Sequence, residues 1–224
     1  MRLPAWFALG LCAALGACSG LEGGASTGEG DAPGPDRLLE DENVLGGEGV
    51  TADRVQGFLA DEGSALAGYA EEGASAAQLI VDAARAEGVS PVYLLARIQT
   101  ESGLVRSGSL ERLRSATGCG CPDGERCDPA FANFGPQVRC AARLVRSYFD
   151  DLDARGQTVT GWAVGVTKQT ADGCPVAPAN RATAALYTYT PWVGAYAKGC
   201  GSKDVGGASL VGVIYRQYAR ELGG

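Results

Sequence analysis

The sequence predicts a mainly α-helical domain, and three observations support this fold class. Apolar residues recur at helical spacing in several segments, as Leu94, Leu95 and Ile98 do. Helix start and stop signals bound these segments, and the clearest are Ser90-Pro91 before this stripe and Gly103 after it. A segment rich in Gly, Cys and Asp separates the helical patterns at 105–135 and is typical of a loop region.

Residues 1–17 have the features of a bacterial lipoprotein signal peptide. Met1-Arg2 supplies a short positive start, residues 3–16 are almost wholly apolar, and Leu15-Gly16-Ala17 precedes Cys18. The apolar run is too short for a stable transmembrane helix. Cleavage before Cys18 would leave that residue as the lipidated first residue, and Ser19 after it is compatible with the outer membrane. The alternative is a soluble-secretion signal in which Cys18 has no special role.

Residues 18–49 are predicted to form a disordered acidic tether. Gly, Ser, Pro and acidic residues dominate them, and large apolar side chains are almost absent before Leu38. About thirty such residues would reach on the order of 30 Å. Most of the chain's excess negative charge lies here, so residues 51–224 are nearly neutral. Without a basic patch, a nucleic-acid partner is not expected.

Residues 50–224 have the length of a single domain, and the first helices can be placed from their caps. Thr51 is predicted to cap a helix that buries Val55, Phe58 and Leu59. Ser75 is predicted to open a second helix, which ends at Gly88. The Ser90 helix follows, and a short helix is possible at Leu110 to Leu113.

The later segments are also mainly helical in pattern. Pro136 is predicted to start the longest helix and to place it against the Ser90 helix. Residues Thr158 to Val166 mix β-branched residues with glycine, which favours a small hairpin. Ala182 to Tyr187 and Leu210 to Leu222 have the spacing of packing helices.

Glu101 is the first candidate functional residue, because it ends the Ser90 helix on the same stripe as Leu94. At about 100° per residue the two positions lie within roughly 20° of each other, which predicts a side chain facing the interior. Burial and the negative end of the helix dipole both disfavour an ionised carboxylate, and a protonated one can act as an acid. The alternative is that Glu101 is solvated or pairs with Arg97.

The chain has no histidine, which excludes several reaction classes for the chain alone. Serine or cysteine hydrolysis that uses histidine and His-ligated zinc chemistry cannot operate. No glycine-rich phosphate loop follows a strand, so no nucleotide cofactor is expected, and neither is any other cofactor. Acid–base chemistry is left to carboxylates and tyrosines, which suffices for cleavage of glycosidic bonds.

Glu101-Ser102-Gly103 resembles the catalytic-glutamate motif of the lysozyme-like superfamily, especially its lytic transglycosylases. Phe134-Gly135-Pro136-Gln137 and Ala185-Leu186-Tyr187-Thr188-Tyr189 take the places of the second and third motifs, without matching them letter for letter. The stretch from Thr51 to about Tyr196 also resembles uncharacterised secreted bacterial proteins with a lysozyme-like domain. The similar segments are Thr51-Ala52-Asp53-Arg54-Val55-Gln56-Gly57-Phe58-Leu59, Gly120-Cys121-Pro122-Asp123 and Ala182-Thr183-Ala184-Ala185-Leu186-Tyr187.

The resemblance implies a lysozyme-like domain, anchored in the cell envelope, that cleaves the glycan strands of peptidoglycan. Glu101 would be the catalytic acid and base, and the expected substrate contacts are Ser102, Gln137, Asn180, Tyr187 and Tyr189. Transglycosylation is favoured over hydrolysis because no second carboxylate stands out; Asp123 and Asp128 are the available ones. The alternative is a lipoprotein that keeps the fold and binds peptidoglycan or a protein partner without cutting. The oligomeric state is left open.

Six cysteines remain in the domain once Cys12 leaves with the signal peptide and Cys18 carries lipid, and an exported chain with an even number indicates disulfides. Spacing favours a Cys121–Cys127 bridge. Compared with the resembling proteins, Cys119 and Cys140 are additions, which implies an extra Cys119–Cys140 bridge and leaves Cys174–Cys200. Zinc at Cys119, Cys121 and Cys127 is the alternative, but that spacing is not a familiar zinc pattern, so no metal is expected.

Overall fold

The computed structural model describes residues 33–120 and 128–223, and this part of the chain is mainly helical. Seven α-helices and two short two-stranded hairpins occur within it. The helices are α1 (Asp41–Leu45), α2 (Ala52–Asp61), α3 (Ala76–Glu87), α4 (Pro91–Ser102), α5 (Phe134–Arg155), α6 (Arg181–Tyr189) and α7 (Gly207–Leu222).

Side-chain caps begin four of these helices, and three of the caps were predicted. The side chains of Thr51, Ser75 and Ser90 accept hydrogen bonds from backbone amides in the first turns of α2, α3 and α4. Asn180 does the same for α6. The predicted left-handed stops at Gly88 and Gly103 are also present. Local sequence signals therefore determine where these helices begin and end.

The predicted tether is wrong for residues 33–49, because this segment belongs to the folded body. Leu38, Leu39 and Val44 are buried in the core, and α1 lies within the segment. The backbone amide of Leu38 donates to the Thr183 hydroxyl of α6 over 3.1 Å. Apolar contacts thus hold an acidic stretch whose composition alone indicates disorder.

The central helix is α4, which the structure places mainly against α7 and only to a small extent against the predicted partner α5. Helix α5 starts at Phe134, two residues before the predicted Pro136, and packs chiefly on α3. Helix α4 is apolar nearly all round: Val92, Leu94, Leu95 and Ile98 are all buried. A helix so enclosed presents a rigid end, and that end is the segment from Glu101 to Gly103.

The later hairpin lies further along the chain than predicted. Residues 158–166 form turns, whereas β3 (Lys168–Gln169) pairs antiparallel with β4 (Pro175–Val176). An earlier hairpin, β1 (Ala70–Glu71) with β2 (Ala74–Ser75), leads into α3. The short helix predicted near Leu110 is a 3₁₀ turn at Leu113–Ser115.

Two of the predicted disulfides are confirmed. Cys119 bonds Cys140 of α5, and Cys174 bonds Cys200. The predicted Cys121–Cys127 bridge lies outside the described residues, as do Cys18 and the signal segment. None of the described helices is long and apolar enough to cross a membrane.

Candidate functional site

Glu101 is the only glutamate of α4 and lies at the protein surface, in the last turn of the helix. Its side chain is 27% exposed, so the predicted orientation into the apolar interior is wrong. The chain turns sharply just after it, because Gly103 adopts φ 72°, a left-handed conformation that suits glycine. Glu101 is therefore a carboxylate that solvent or a ligand can reach, on a helix that cannot easily move.

Arg97 lies one turn before Glu101 and binds its carboxylate. The distance from Arg97 Nη2 to Glu101 Oε1 is 2.6 Å, and the arginine side chain is only 1% exposed. This is the alternative pairing considered for Glu101. The carboxylate of Glu101 therefore lies against a full positive charge that is enclosed in the protein.

Tyrosines surround the buried guanidinium. The ring of Tyr189 stacks on Arg97, whose guanidinium carbon is 3.7 Å from the ring centroid. Nη1 donates to Thr190 Oγ1 over 3.1 Å, whereas Nε has no hydrogen-bond partner among the described residues. Burial raises the pKa of Tyr93, of Tyr148 and of Tyr189, so all three stay neutral at ordinary pH.

Burial opposes the charge of Arg97, but its electrostatic interactions, first with Tyr93 and then with Glu101, outweigh it and raise the pKa of Arg97. The guanidinium is therefore a fixed positive charge beneath Glu101. Any chemistry at this carboxylate takes place beside that charge.

The loop at residues 116–120 forms the wall beside Glu101. A Cβ atom on Gly118 would lie 3.6 Å from Glu101 Oε2, and Gly118 itself has φ 74°. Ser102 joins this loop to α4, because its hydroxyl donates to the backbone oxygens of Ile98 and Ala116 at 2.8 and 3.0 Å. Because Gly118 has no side chain, it does not cover the face of the Glu101 carboxylate that it lies beside.

Gln137 holds the same loop from the other side. Its Oε1 accepts from the backbone amides of Thr117 and Cys119, each at 3.2 Å, and its Nε2 donates to the oxygens of Cys119 and Phe131. The residue is fully buried. A direct substrate contact by Gln137 is therefore wrong, because all its polar atoms are used inside the protein. Gln137 shapes the wall of the site.

Tyr187 and Asn180 are also structural in this fold. The ring of Tyr187 is buried and stacks on Trp162 with centroids 4.9 Å apart, and its hydroxyl donates to Pro35 O over 2.9 Å. Asn180 caps α6 and donates to Leu39 O over 2.8 Å. Neither is placed beside Glu101 by any of these contacts, so their predicted substrate contacts are not supported.

Tyr189, by contrast, belongs to the site. Besides stacking on Arg97, its hydroxyl donates to the backbone oxygen of Thr117 in the loop wall. It therefore connects the guanidinium to the loop beside Glu101. Five substrate contacts were predicted in addition to the catalytic Glu101. Three of them lie at the end of the helix that carries Glu101, and each makes internal hydrogen bonds there: Ser102, Gln137 and Tyr189.

A polar groove of about 380 Å³ opens on the surface at the end of α4. Its polar side chains are those of Gln99, Ser102, Arg106, Ser107, Ser109, Glu111 and Arg112. Arg112 Nη1 approaches Ser102 O at 3.4 Å. Of these residues only Ser102 was predicted, because charged and hydroxyl side chains in a loop are ordinary surface composition.

Of the two carboxylates predicted as candidates for hydrolysis, the structure describes only Asp128. Asp128 caps a turn by accepting from the amide of Ala130 at 2.9 Å, and Asp123 lies outside the described residues. The alternative of a zinc ion bound by Cys119, Cys121 and Cys127 would need Cys119 as a thiolate, but Cys119 forms a disulfide. Within the described ranges there is no cluster of three or more metal-ligating side chains.

A scan against protein-family models, a search of curated proteins and a search of solved structures found no match to this chain. The site therefore has to be interpreted from its own geometry.

Proposed function

We propose that this chain is a lipid-anchored cell-envelope protein with a lysozyme-like helical domain, and that it cleaves the glycan strands of peptidoglycan. The observation that carries the proposal is the position of Glu101. It is a partly exposed carboxylate at the rigid end of a buried helix, next to a loop that is open at Gly118. An acid that must meet a large polymer needs both exposure and a fixed position.

The proposed reaction uses Glu101 twice. Protonated Glu101 donates its proton to the glycosidic oxygen as the bond from that oxygen to the sugar's C1 breaks. The 6-hydroxyl of the same sugar then bonds to C1 and returns its proton to Glu101, which gives a 1,6-anhydro product without consuming water. This route needs no second carboxylate, in agreement with the internal role of Asp128.

Arg97 has a part in the step that follows proton transfer. Its guanidinium lies 2.6 Å from Glu101 Oε1. Once the proton has left, this positive charge stabilises the carboxylate that remains.

The second candidate is binding of glycan or a protein partner without cleavage, and the Arg97–Glu101 ion pair is the observation that favours it. A carboxylate held by a buried arginine can accept hydrogen bonds from sugar hydroxyls, and binding of this kind needs no proton transfer. The polar groove beside Ser102 would then be part of the binding surface.

The two candidates differ in their products. Incubation of purified peptidoglycan with the mature chain, followed by mass spectrometry of the soluble material, should reveal 1,6-anhydro muropeptides under the first proposal. Products one water molecule heavier would instead indicate hydrolysis. Binding of the chain to sedimented peptidoglycan with no soluble product would support the second candidate.

A further inference from the structure

The exposed valines of this protein are gathered in one part of the chain. Val159, Val164, Val166 and Val205 are the exposed large hydrophobic residues among those described, with exposures from 45% to 74%. Val159 and Val164 lie in two consecutive turns on either side of the buried Trp162, and Val166 follows the second turn. Exposed apolar side chains that follow one another so closely in the chain are typical of a surface that meets an apolar partner.

Every lysine of the chain lies in the same region. Lys168, Lys198 and Lys203 are the only three in the sequence, and none forms an ion pair with a described residue. Residues 157–206 contain four basic and two acidic side chains, in a chain of net charge −7. Arg181 pairs with Asp41 and Asp153, and the carboxylate of Asp36 also reaches this region by accepting from the amide of Ala177. The three lysines are therefore cations without an ion-pair partner among the described residues, within a region of mixed charge.

Internal contacts hold these turns in place. The ammonium of Lys168 donates to the backbone oxygen of Thr160 and lies 5.0 Å from the centre of the Trp162 ring, so it connects the two turns. The Cys174–Cys200 disulfide joins the β3–β4 hairpin to the loop that carries Lys198 and Lys203. The turns that carry the valines and the loop that carries Lys198 and Lys203 are thus each held to the folded body.

The described chain begins beside this surface. Pro33 O accepts from the amide of Lys198 at 3.0 Å. Asp36 accepts hydrogen bonds from the backbone amides of Ala177 and Ala179. Pro178, which lies between these two residues, accepts a hydrogen bond from the amide of Gly165 at 2.8 Å, and Gly165 belongs to the second valine turn. Fourteen residues, 19–32, separate Cys18 from Pro33. A chain of that length has a root-mean-square reach of roughly 20 Å.

We propose that Val159, Val164, Val166, Lys168, Lys198 and Lys203, here termed the valine–lysine surface, dock on the anionic phospholipid bilayer to which the N-terminal lipid is attached. The proposal rests on the proposed lipidation of Cys18, which would keep this side of the domain within about 20 Å of the membrane. Ammonium groups attract anionic headgroups, and exposed valines gain from leaving water at the headgroup boundary. A second contact of this kind would orient the domain as well as hold it.

The test uses the mature chain, residues 18–224, with Cys18→Ser, so that binding does not depend on the lipid. Cosedimentation is measured with vesicles of phosphatidylcholine alone and with vesicles containing phosphatidylglycerol. One variant replaces the three lysines by glutamine, and another replaces Val159, Val164 and Val166 by serine. The matched control replaces Arg85, Arg143 and Arg220 by glutamine, which removes the same charge from exposed positions on α3, α5 and α7. Circular dichroism confirms that each variant is folded.

We expect the Cys18→Ser chain to bind phosphatidylglycerol vesicles at low salt and to bind phosphatidylcholine weakly. Each membrane-facing lysine contributes about a fivefold factor, so the lysine variant should bind on the order of a hundredfold less well. The valine variant should also lose binding, and the arginine control should keep most of it.

The proposal is overturned if the unmodified surface fails to bind phosphatidylglycerol vesicles, or if the arginine control loses as much as the lysine variant. It is also overturned if sedimentation velocity shows self-association that the valine variant abolishes, because the surface would then join two copies. None of these outcomes depends on Glu101, so glycan cleavage can fail without affecting the result. Lipidation of Cys18 is checked separately, by intact mass of protein extracted from membranes.

Discussion

Arg97 and Glu101 form an ion pair in which one partner is buried and the other is accessible. The two side chains meet at 2.6 Å, with the guanidinium 1% exposed and the carboxylate 27% exposed. Arg97 is enclosed by the protein, and Glu101 is the carboxylate that pairs with its positive charge. Stability and the proposed activity would therefore be coupled at this residue.

The first prediction concerns that coupling. Replacing Glu101 by alanine should lower the free energy of unfolding by about 1–3 kcal/mol, because it leaves a buried guanidinium without its counter-charge. Thr190 and Tyr189 still contact Arg97, so the loss should not reach the full cost of an unpaired buried charge. Glu87→Ala is the control: Glu87 pairs at 3.5 Å with the exposed Arg143, and its loss should cost less than about 1 kcal/mol. Urea unfolding that gives equal losses would contradict the coupling.

The second prediction concerns Gln137 as the residue that holds the loop wall. Gln137→Leu should destabilise the protein by about 3 kcal/mol, since it leaves the buried amides of Thr117 and Cys119 without their acceptor. It should also increase proteolytic cleavage within the described parts of the 116–131 loop. Gln217→Leu is the control, because Gln217 makes only a 3.4 Å contact with Glu221 on α7. A surface role for Gln137 predicts no difference between the two variants.

The third prediction concerns Asp172 and acid. Partial burial acts to raise its pKa, but hydrogen bonds from Thr170, Val193, Gly194 and Ser202 outweigh it and lower the pKa of Asp172 to about 2. A carboxyl whose pKa is lower in the folded protein stabilises it above the unfolded value of about 3.9 and loses that contribution as pH falls toward 2.

Asp172→Asn should therefore lower the melting temperature by a few degrees at pH 7, and the difference from wild type should shrink between about pH 4 and pH 2. Circular dichroism melts at several pH values measure this. A difference that stays constant down to pH 2 would show that the charge of Asp172 is not what holds the loop at residues 193–202.

The fourth prediction concerns the disulfides. Peptide mapping without reduction should recover Cys119 linked to Cys140 and Cys174 linked to Cys200. Replacing both Cys174 and Cys200 by serine should cost about 3 kcal/mol, as expected for a loop of this length. Recovery of Cys119 linked to Cys121 or Cys127, or of bound zinc, would contradict the observed pairing.

The helices were predictable where short-range signals bound them. Ser75, Ser90 and Gly103 act on their own neighbours, so caps and stops can be identified without knowledge of the fold. Helix partners cannot be identified this way, because an apolar stripe does not specify what covers it. Helix α5 was predicted as the partner of α4, whereas α4 packs mainly on α7 and only slightly on α5. The burial of Leu38 and Leu39 was missed for the same reason: their partners are distant in the chain.

The site was predictable in part. Glu101 was found from its place at a helix end, and Tyr189 from its motif. Tyr187 and Tyr189 are two residues apart and so point about 200° apart on α6, and only the packing of α6 decides which of them reaches Arg97. Gln137 was correctly placed near the site but given the wrong role, because sequence cannot show whether an amide faces solvent or backbone.

The most direct test of the central claim compares Glu101→Gln with wild type in the digestion of purified peptidoglycan at mildly acidic and neutral pH, with Glu87→Gln as the control. Glutamine keeps the shape of a protonated glutamate but cannot deliver its proton. Mass spectrometry should find 1,6-anhydro muropeptides from wild type and the control, and essentially none from Glu101→Gln. Equal release of such products by Glu101→Gln and wild type, or none from wild type at either pH, would contradict the assignment of Glu101 as the catalytic acid.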